Sequence, residues 1–170
     1  MTKIQDATPD QAAALGRLLV RVYAALPGFP SPAEQPGYYE MLAQVGALAE
    51  RPRTQVRVAL DADGAVRGGL VYFGDMAQYG SGGAATQLQG CAGIRLLAVD
   101  PAARGQGLGK ALTLDALALA RAQGRQAMVL HTTQAMQTAW RMYEGLGFAR
   151  APELDFSQQG LAVFGFRLTL

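Results

Sequence analysis

Apolar residues recur at two different periods along this chain, and the switches between them set the expected order of elements. Leu15, Leu18, Leu19, Val22 and Leu26 stand three or four positions apart, the spacing of one helix face. Thr8-Pro9-Asp10-Gln11 provides the start of that helix, with a threonine N-cap, proline in the first turn and glutamine closing a capping box. Pro27-Gly28 ends it. Tyr38, Leu42, Val45 and Ala49 carry the helical period on to Glu50, and Arg51-Pro52 closes this second helix. The period then shortens. Gln55–Leu60 and Ala65–Gly74 flank the turn Asp61-Ala62-Asp63-Gly64 and predict a hairpin. Ile94–Val99 and Gln126–Thr132 predict two further strands, followed by helices from about Leu108 to Gly124 and from Gln134 to Leu146. Phe148–Leu154 and Leu161–Leu170 predict the last strands, the final one alternating Ala162, Phe164, Phe166, Leu168 and Leu170 with its other face. With a short edge strand over Thr2–Ala7 the order is β-α-α-β-β-β-α-β-α-β-β. Pro27–Gly37, with four prolines around Phe29, and the aperiodic stretch Asp75–Gly90 are read as loops.

Composition narrows the picture without changing it. With 170 residues, half of them apolar and 16% charged, the chain reads as one ordered domain over residues 1–170. The net charge of +2 and the lack of a basic run give no support to nucleic-acid binding. No apolar run reaches the ~18 residues of a membrane span and no secretory leader opens the chain. The single Cys91 rules out an internal disulfide and suits a reducing compartment, so a cytoplasmic protein is expected. A lone cysteine more often packs than reacts.

The chemistry concentrates between the Ile94–Val99 strand and its helix, at Arg104-Gly105-Gln106-Gly107-Leu108-Gly109-Lys110. Glycines on alternate positions let the backbone approach a ligand, and the amides lead into a helix N-terminus that favours an anion. The spacing is not that of a nucleotide P-loop, because Arg104 stands at the first glycine and Ala111 at the final Ser/Thr. A dinucleotide fingerprint fails too, since Gly109 follows Gly107 one residue too soon. What fits is R-x-x-G-x-G after a strand. A second signature, Tyr143-Glu144-Gly145-Leu146-Gly147-Phe148, follows one strand and one helix later. Together these resemble the GCN5-related N-acetyltransferase family, with its Y-x-x-x-G-F, over Gly93 to about Arg150.

That resemblance implies an α+β fold with a mostly antiparallel, twisted central sheet flanked by helices. It implies transfer of acetyl from acetyl-CoA, as co-substrate and without a metal, to a primary amine of unspecified identity. The cofactor diphosphate would rest on Arg104, Gly105, Gln106, Gly107, Leu108, Gly109 and Lys110. The pantetheine arm would pair with Leu97, Ala98 and Val99, where the family's strands splay apart beside a bulge. A backbone N–H near Leu97 or Ala98 would meet the thioester oxygen. Tyr143 stands where the family's general acid protonates the CoA thiolate, although a tyrosine at helical spacing is otherwise a packing residue. His131 stands where some members carry a glutamate base, and an imidazole titrates in the useful range. Here the Gly93–Val99 strand has no carboxylate, and the helix position often held by Asn is Met136. Glu153 and Asp155 are candidates for a counter-charge to a cationic amine; Phe29, Tyr38, Tyr39 and Trp140 are expected to pack. The same resemblance admits a homodimer. A non-catalytic acyl-CoA sensor of the same fold is the alternative, keeping the phosphate loop but needing no acid.

Overall fold

The computed structural model describes residues 2–170. Eight strands form one twisted sheet in the order β1-β2-β3-β4-β5-β8-β6, with β7 paired to β8 outside that path. They are β1 Lys3–Asp6, β2 Thr54–Leu60, β3 Val66–Phe73, β4 Cys91–Val99, β5 Ala127–Thr132, β6 Ala149–Arg150, β7 Phe156–Gln158 and β8 Leu161–Thr169. The helices are α1 Pro9–Ala24, α2 Pro36–Ala43, α3 Leu108–Ala122 and α4 Gln137–Gly145. All strand pairs are antiparallel except β4 with β5. The mostly antiparallel α+β architecture expected from the sequence is therefore the one observed.

Strand alternation builds a core on each face of the sheet. Val71 and Phe73 point toward α1 and α2, packing with Leu15, Leu19 and Leu42. Leu70 and Tyr72 point the other way, toward Leu112, Ala116 and Tyr143 of α3 and α4. Arg57 on β2 fixes α3 over its face through paired bonds of 2.8 and 2.9 Å to Asp115, and it also reaches Asp6 of β1 at 2.8 Å. This half-buried fork is a charge-assisted, bidentate contact, stronger and more directional than a surface ion pair.

Local chemistry explains where the elements stop. The Thr8 capping box forms as expected, with Gln11 N–H donating to Thr8 Oγ1 and Gln11 Oε1 accepting from Thr8 N–H. The second helix is shorter than its apolar period predicts: α2 ends at Ala43 and Val45–Glu50 tightens into a 3₁₀ turn. The predicted Phe148–Leu154 strand shrinks to Ala149–Arg150, because Pro152 starts a 3₁₀ turn that breaks the ladder. The stretch after it contains the unforeseen strand β7, joined to β8 through Gln159 and Gly160, both at positive φ. Helix α4 begins at Gln137, three residues later than predicted, after a turn in which Met136 N–H bonds Thr133 O.

Within Asp75–Gly90, polar spacing conceals two 3₁₀ turns and three inward-facing residues. Met76, Tyr79 and Ala85 are fully or almost fully buried there. Gly93 gives Tyr79 its seat: a Cβ at Gly93 would lie 2.6 Å from the tyrosine ring.

Gly16 sets the approach of α1 to α2, since a Cβ there would lie 2.3 Å from the Ala43 carbonyl oxygen. Gly16→Ala is expected to destabilise the protein by about 1–3 kcal/mol through overpacking against backbone, despite the roughly 1 kcal/mol that alanine gains in an exposed helix. Urea denaturation measures the balance; equal or higher stability in the variant would contradict this close contact.

Candidate functional site

The parallel pairing of β4 with β5 covers only Cys91–Gly93 against Ala127–Val129. Beyond those residues the strands part. The cause lies in β4 itself, where three residues are spent opposite two of β3: Gly69 faces Ala98, but Val71 faces Arg95. Leu96 takes up the surplus at φ 60°, a left-handed conformation costing about 1–2 kcal/mol for a side chain of this kind. The bulge also breaks alternation. Ile94 packs on the α3/α4 side while Leu96 packs on the α1/α2 side, although two-residue spacing would put them together.

Past the bulge, Asp100 N–H donates to Arg67 O on β3 at 2.8 Å. By alternation the backbone groups of Val99 and Leu97 turn away from β3, toward the opening. The Leu97 carbonyl meets α1 there, accepting from the Tyr23 hydroxyl at 3.0 Å. Asp100 then anchors the loop that follows: it accepts from Ala102 N–H at 3.0 Å and lies 3.3 Å from Arg67 and 3.6 Å from Arg21. Its carboxyl is held below the usual range, chiefly by the Ala102 N–H.

A groove of about 570 Å³ runs from this opening to the start of α3. Among the residues singled out from the sequence, Leu97, Ala98, Val99, Arg104, Gly105, Gly107, Leu108, Gly109, Lys110, His131 and Tyr143 all line it. Gln106 does not; it is exposed on the outer side of the loop. Gly107 is the N-cap of α3 at φ 76°, and no side chain caps this end. The first helical bond runs from Ala111 N–H to Gly107 O, so the amides ahead of Ala111 have no acceptor within the helix. Arg104 and Lys110 are exposed beside them.

A second hollow of about 330 Å³ adjoins the groove on the α1/α2 side. Tyr23, Arg95, Leu96, His131, Thr132 and Met136 line both, so the two meet at the bulge. Phe29 and Tyr38 form one wall of the hollow, Phe156 of β7 another, and Tyr79 a third. Gln35 bonds Gln159 across it, tying the proline-rich loop to the β7–β8 turn.

Three phenols converge near the junction, and burial keeps each protonated. Tyr143, Tyr79 and Tyr23 all have their ionisation pushed well up by desolvation. Tyr143 is 5% exposed and its ring packs edge-on against Phe148, so the second signature joins two residues that touch. His131 is bonded at both nitrogens. Its Nε2 lies 2.8 Å from the Leu154 carbonyl, which can only accept, so Nε2 carries the proton. Its Nδ1 lies 3.0 Å from the Tyr79 hydroxyl and accepts from it. Burial lowers the imidazole's affinity for a proton, while the Leu154 bond works against that; Arg95 lowers it further and Asp155 raises it.

The acidic pair proposed for an amine's counter-charge is committed elsewhere. Asp155 holds Arg150 at 2.6 Å and accepts from Gly165 N–H at 2.7 Å, while Glu153 bonds Arg167 at 2.9 Å. Cys91 sits at the far end of β4, opposite Ala127, and lines neither space. Trp140 packs against Phe164 and Phe166, as its spacing suggested. Sequence reasoning missed Tyr23, Tyr79, Arg95 and Thr132. The one visible signal was Arg95, a cation inside an otherwise apolar strand.

Comparison with known proteins agrees with this geometry. The family model described as the Acetyltransferase (GNAT) family matches residues 20–148. Mycothiol acetyltransferase of Thermobispora bispora is 46% identical over 57 residues, 34% of this chain and 19% of that protein. The same-named protein of Salinispora tropica is 47% identical over 58 residues, again 34% of this chain and 19% of its own length. The chain thus spans about a fifth of the curated relatives it matches. Among solved structures, a GNAT-family acetyltransferase of Staphylococcus aureus Mu50 superimposes with a TM-score of 0.75 at 13% identity, covering 99% of both chains. A GCN5-related N-acetyltransferase of Kribbella flavida gives 0.71 at 22% identity, covering 99% of this chain and 98% of its own. At these identities the likeness is one of fold.

Because folding lowers the proton affinity of His131, the unfolded chain binds that proton first as the pH falls, and stability is lost below the ordinary imidazole range. His131→Gln is expected to lose less stability than wild type between pH 7.5 and pH 5. Urea melts at the two pH values decide; an equal loss in both proteins would show that His131 is not held neutral by the fold.

Proposed function

This chain belongs to the acetyltransferase (GNAT) family, and we propose that it moves the acetyl group of acetyl-CoA directly to a primary amine, in the cytoplasm. The observation that carries this reading is the continuity of the groove. One space joins an uncapped helix N-terminus, a strand edge freed by a bulge, and a buried phenol.

These residues fit acetyl-CoA. The amides of Leu108, Gly109 and Lys110 would hold its diphosphate, with Arg104 and Lys110 as nearby cations. Gly109 leaves room for the approach, since a Cβ there would meet only side chains, at 3.7 Å or beyond. The outward-turned backbone of Val99 and Leu97 would pair with the pantetheine amides as an added strand. Bound there, acetyl-CoA supplies the activated acyl group, leaving the protein to orient and to handle protons. Of the two oxyanion donors expected near the bulge, the Leu97 N–H suits the task, because the groups of Ala98 face β3. Tyr23 steadies the same residue from its other side by bonding the Leu97 carbonyl of the following peptide.

Tyr143 is the proposed general acid. Its burial keeps the phenol protonated at neutral pH, and it lines the groove beside Leu97. His131 is the proposed proton acceptor, acting through Tyr79 because neither ring nitrogen is open to a ligand. When Nδ1 gains a proton, the Tyr79 hydroxyl must turn from it to the Ile94 carbonyl, 3.4 Å away. His131 lines both the groove and the second hollow and Tyr79 lines the hollow, so the pair faces the side from which an amine would meet the acyl carbon. A sensor would need only the groove, so the adjoining hollow supports catalysis over the sensor alternative.

Tyr143→Phe keeps the ring against Phe148 and removes one hydroxyl. Its kcat is expected to fall by about 10²–10⁴-fold, the usual effect of losing an acid–base group, with acetyl-CoA affinity nearly unchanged. Thiol release with an amine panel, beside calorimetry with acetyl-CoA, provides the measurements. An unaltered kcat across the pH range would reduce Tyr143 to a packing residue.

A further inference from the structure

The second hollow carries a charge that no group among the described residues balances. Arg95 projects into it from β4, in regular register opposite Val71, whose side chain packs on the same α1/α2 side. Where an unbroken strand would alternate, Arg95 and Leu96 both line the α1/α2 side. Among the described residues Arg95 has no carboxylate within 4.0 Å. One guanidinium N–H donates to the Tyr79 carbonyl at 2.9 Å, leaving most of its five donors without a protein acceptor.

The surroundings sharpen the imbalance. Arg51 donates to the neighbouring Gln78 carbonyl at 2.9 Å and likewise has no carboxylate partner among the described residues. The two cations flank Gly80, whose missing Cβ would lie 3.1 Å from Arg51 Nη1 and 3.3 Å from Arg95 Nη1. No aspartate or glutamate lines the hollow. The phenols cannot serve as counter-ions: burial pushes Tyr38 up to about 12, although Arg95 pulls it down. His131 is neutral or positive, never an anion. Glu153 and Asp155, the counter-charge candidates named from the sequence, are paired with Arg167 and Arg150.

Two further polar groups wait in the same wall. Thr132 and Thr133 line the hollow, are 2% and 4% exposed, and have hydroxyls buried without a hydrogen-bond partner. A half-buried guanidinium with free donors is matched best by a planar oxyanion, which accepts two parallel N–H bonds. The remaining walls, Phe29, Tyr38 and Phe156, are aromatic, and about 330 Å³ suits a small molecule.

Resting on the acetyltransferase reading above, we propose that the acceptor is a small amine that also carries a carboxylate, and that Arg95 is the residue that selects it. The amine would lie at the junction beside Leu97 and His131, with the carboxylate on Arg95 and the connecting body against the aromatic wall. A polycationic amine is disfavoured by the same charge, since it would bring further positive charge to Arg95 and Arg51.

The test uses matched probes with the intact protein and acetyl-CoA. Aromatic α-amino acids and ω-amino acids of two to six carbons are each compared with their carboxamide and their decarboxylated amine. Aminoalkyl phosphates and spermidine form two further arms. The carboxylate members are expected to exceed their uncharged partners in kcat/KM by about 10–100-fold, the range for bonds to a charged group. Arg95→Gln should erase that preference mainly through KM, and Arg95→Lys should restore only part of it, keeping the charge but not the fork. Binding of the same probes, read by NMR line broadening without acetyl-CoA, should show the same ranking. Equal or better transfer to carboxamides, phosphates or spermidine would overturn this proposal and leave the acetyltransferase reading intact. Acetyl-CoA binding with no transfer to any amine would overturn both. Should Arg95→Gln fail to fold, the wild-type ranking of carboxylate against carboxamide still decides.

Discussion

The structure turns on one interrupted hydrogen-bond ladder. β4 and β5 pair through three residues each and then separate, because an extra residue in β4 re-aims everything beyond Arg95. Strand edges inside a sheet are ordinarily satisfied by their neighbour, and an open one costs free energy unless something else pairs with it. Here the cost is localised. Tyr23 reaches from α1 to cover the Leu97 carbonyl, and the groove gives access to the rest. The left-handed Leu96 is held in place by its burial, 7% exposed, among the side chains of the α1 face.

The same interruption produces two spaces of opposite character. Toward α3 the opening leads to free amides and exposed cations, an arrangement suited to a charged cofactor end. Toward α1 it leads to aromatic rings, the protonated phenols of Tyr23, Tyr38 and Tyr79, and a guanidinium with no carboxylate partner among the described residues. Low dielectric raises the stakes of every polar group at the junction, holding phenols as donors and His131 in its neutral form. The proposed acid and acceptor roles would thereby be separated by environment rather than by residue type alone. The hollow on the α1 side depends on Tyr79, whose ring leaves no room for a side chain at Gly93.

Short-range chemistry was legible in the sequence, and long-range closure was not. The Thr8 cap and the glycine loop at α3 depend on neighbours within a few positions, and each forms as its residues indicate, whereas β8 buries residues of both its faces, Val163 and Gly165 as well as Phe166. The end of α2 depends instead on how Ala43 meets Gly16, a contact no local pattern encodes. β7 is three residues long and polar on average, so its pairing with β8 gave no periodic signal. Tyr143 and His131 were found through the motif and their strand position. Tyr79 lay in an aperiodic stretch and Tyr23 at the end of an amphipathic helix, where both read as packing. The bulge puts Leu96 on the same side as Arg95, and an apolar run of strand-forming residues does not reveal a bulge.

The central claim is that the freed β4 edge and the N-terminus of α3 receive one extended ligand. Amide hydrogen exchange with and without acetyl-CoA, no amine acceptor being added, tests it most directly, since each backbone N–H reports locally. The account predicts new protection at Leu97, Val99 and the Gly107–Lys110 amides. Cys91–Gly93, already paired with β5, should remain unchanged. Protection confined to other elements, or saturable binding that leaves Leu97 and Val99 exchanging freely, would contradict it.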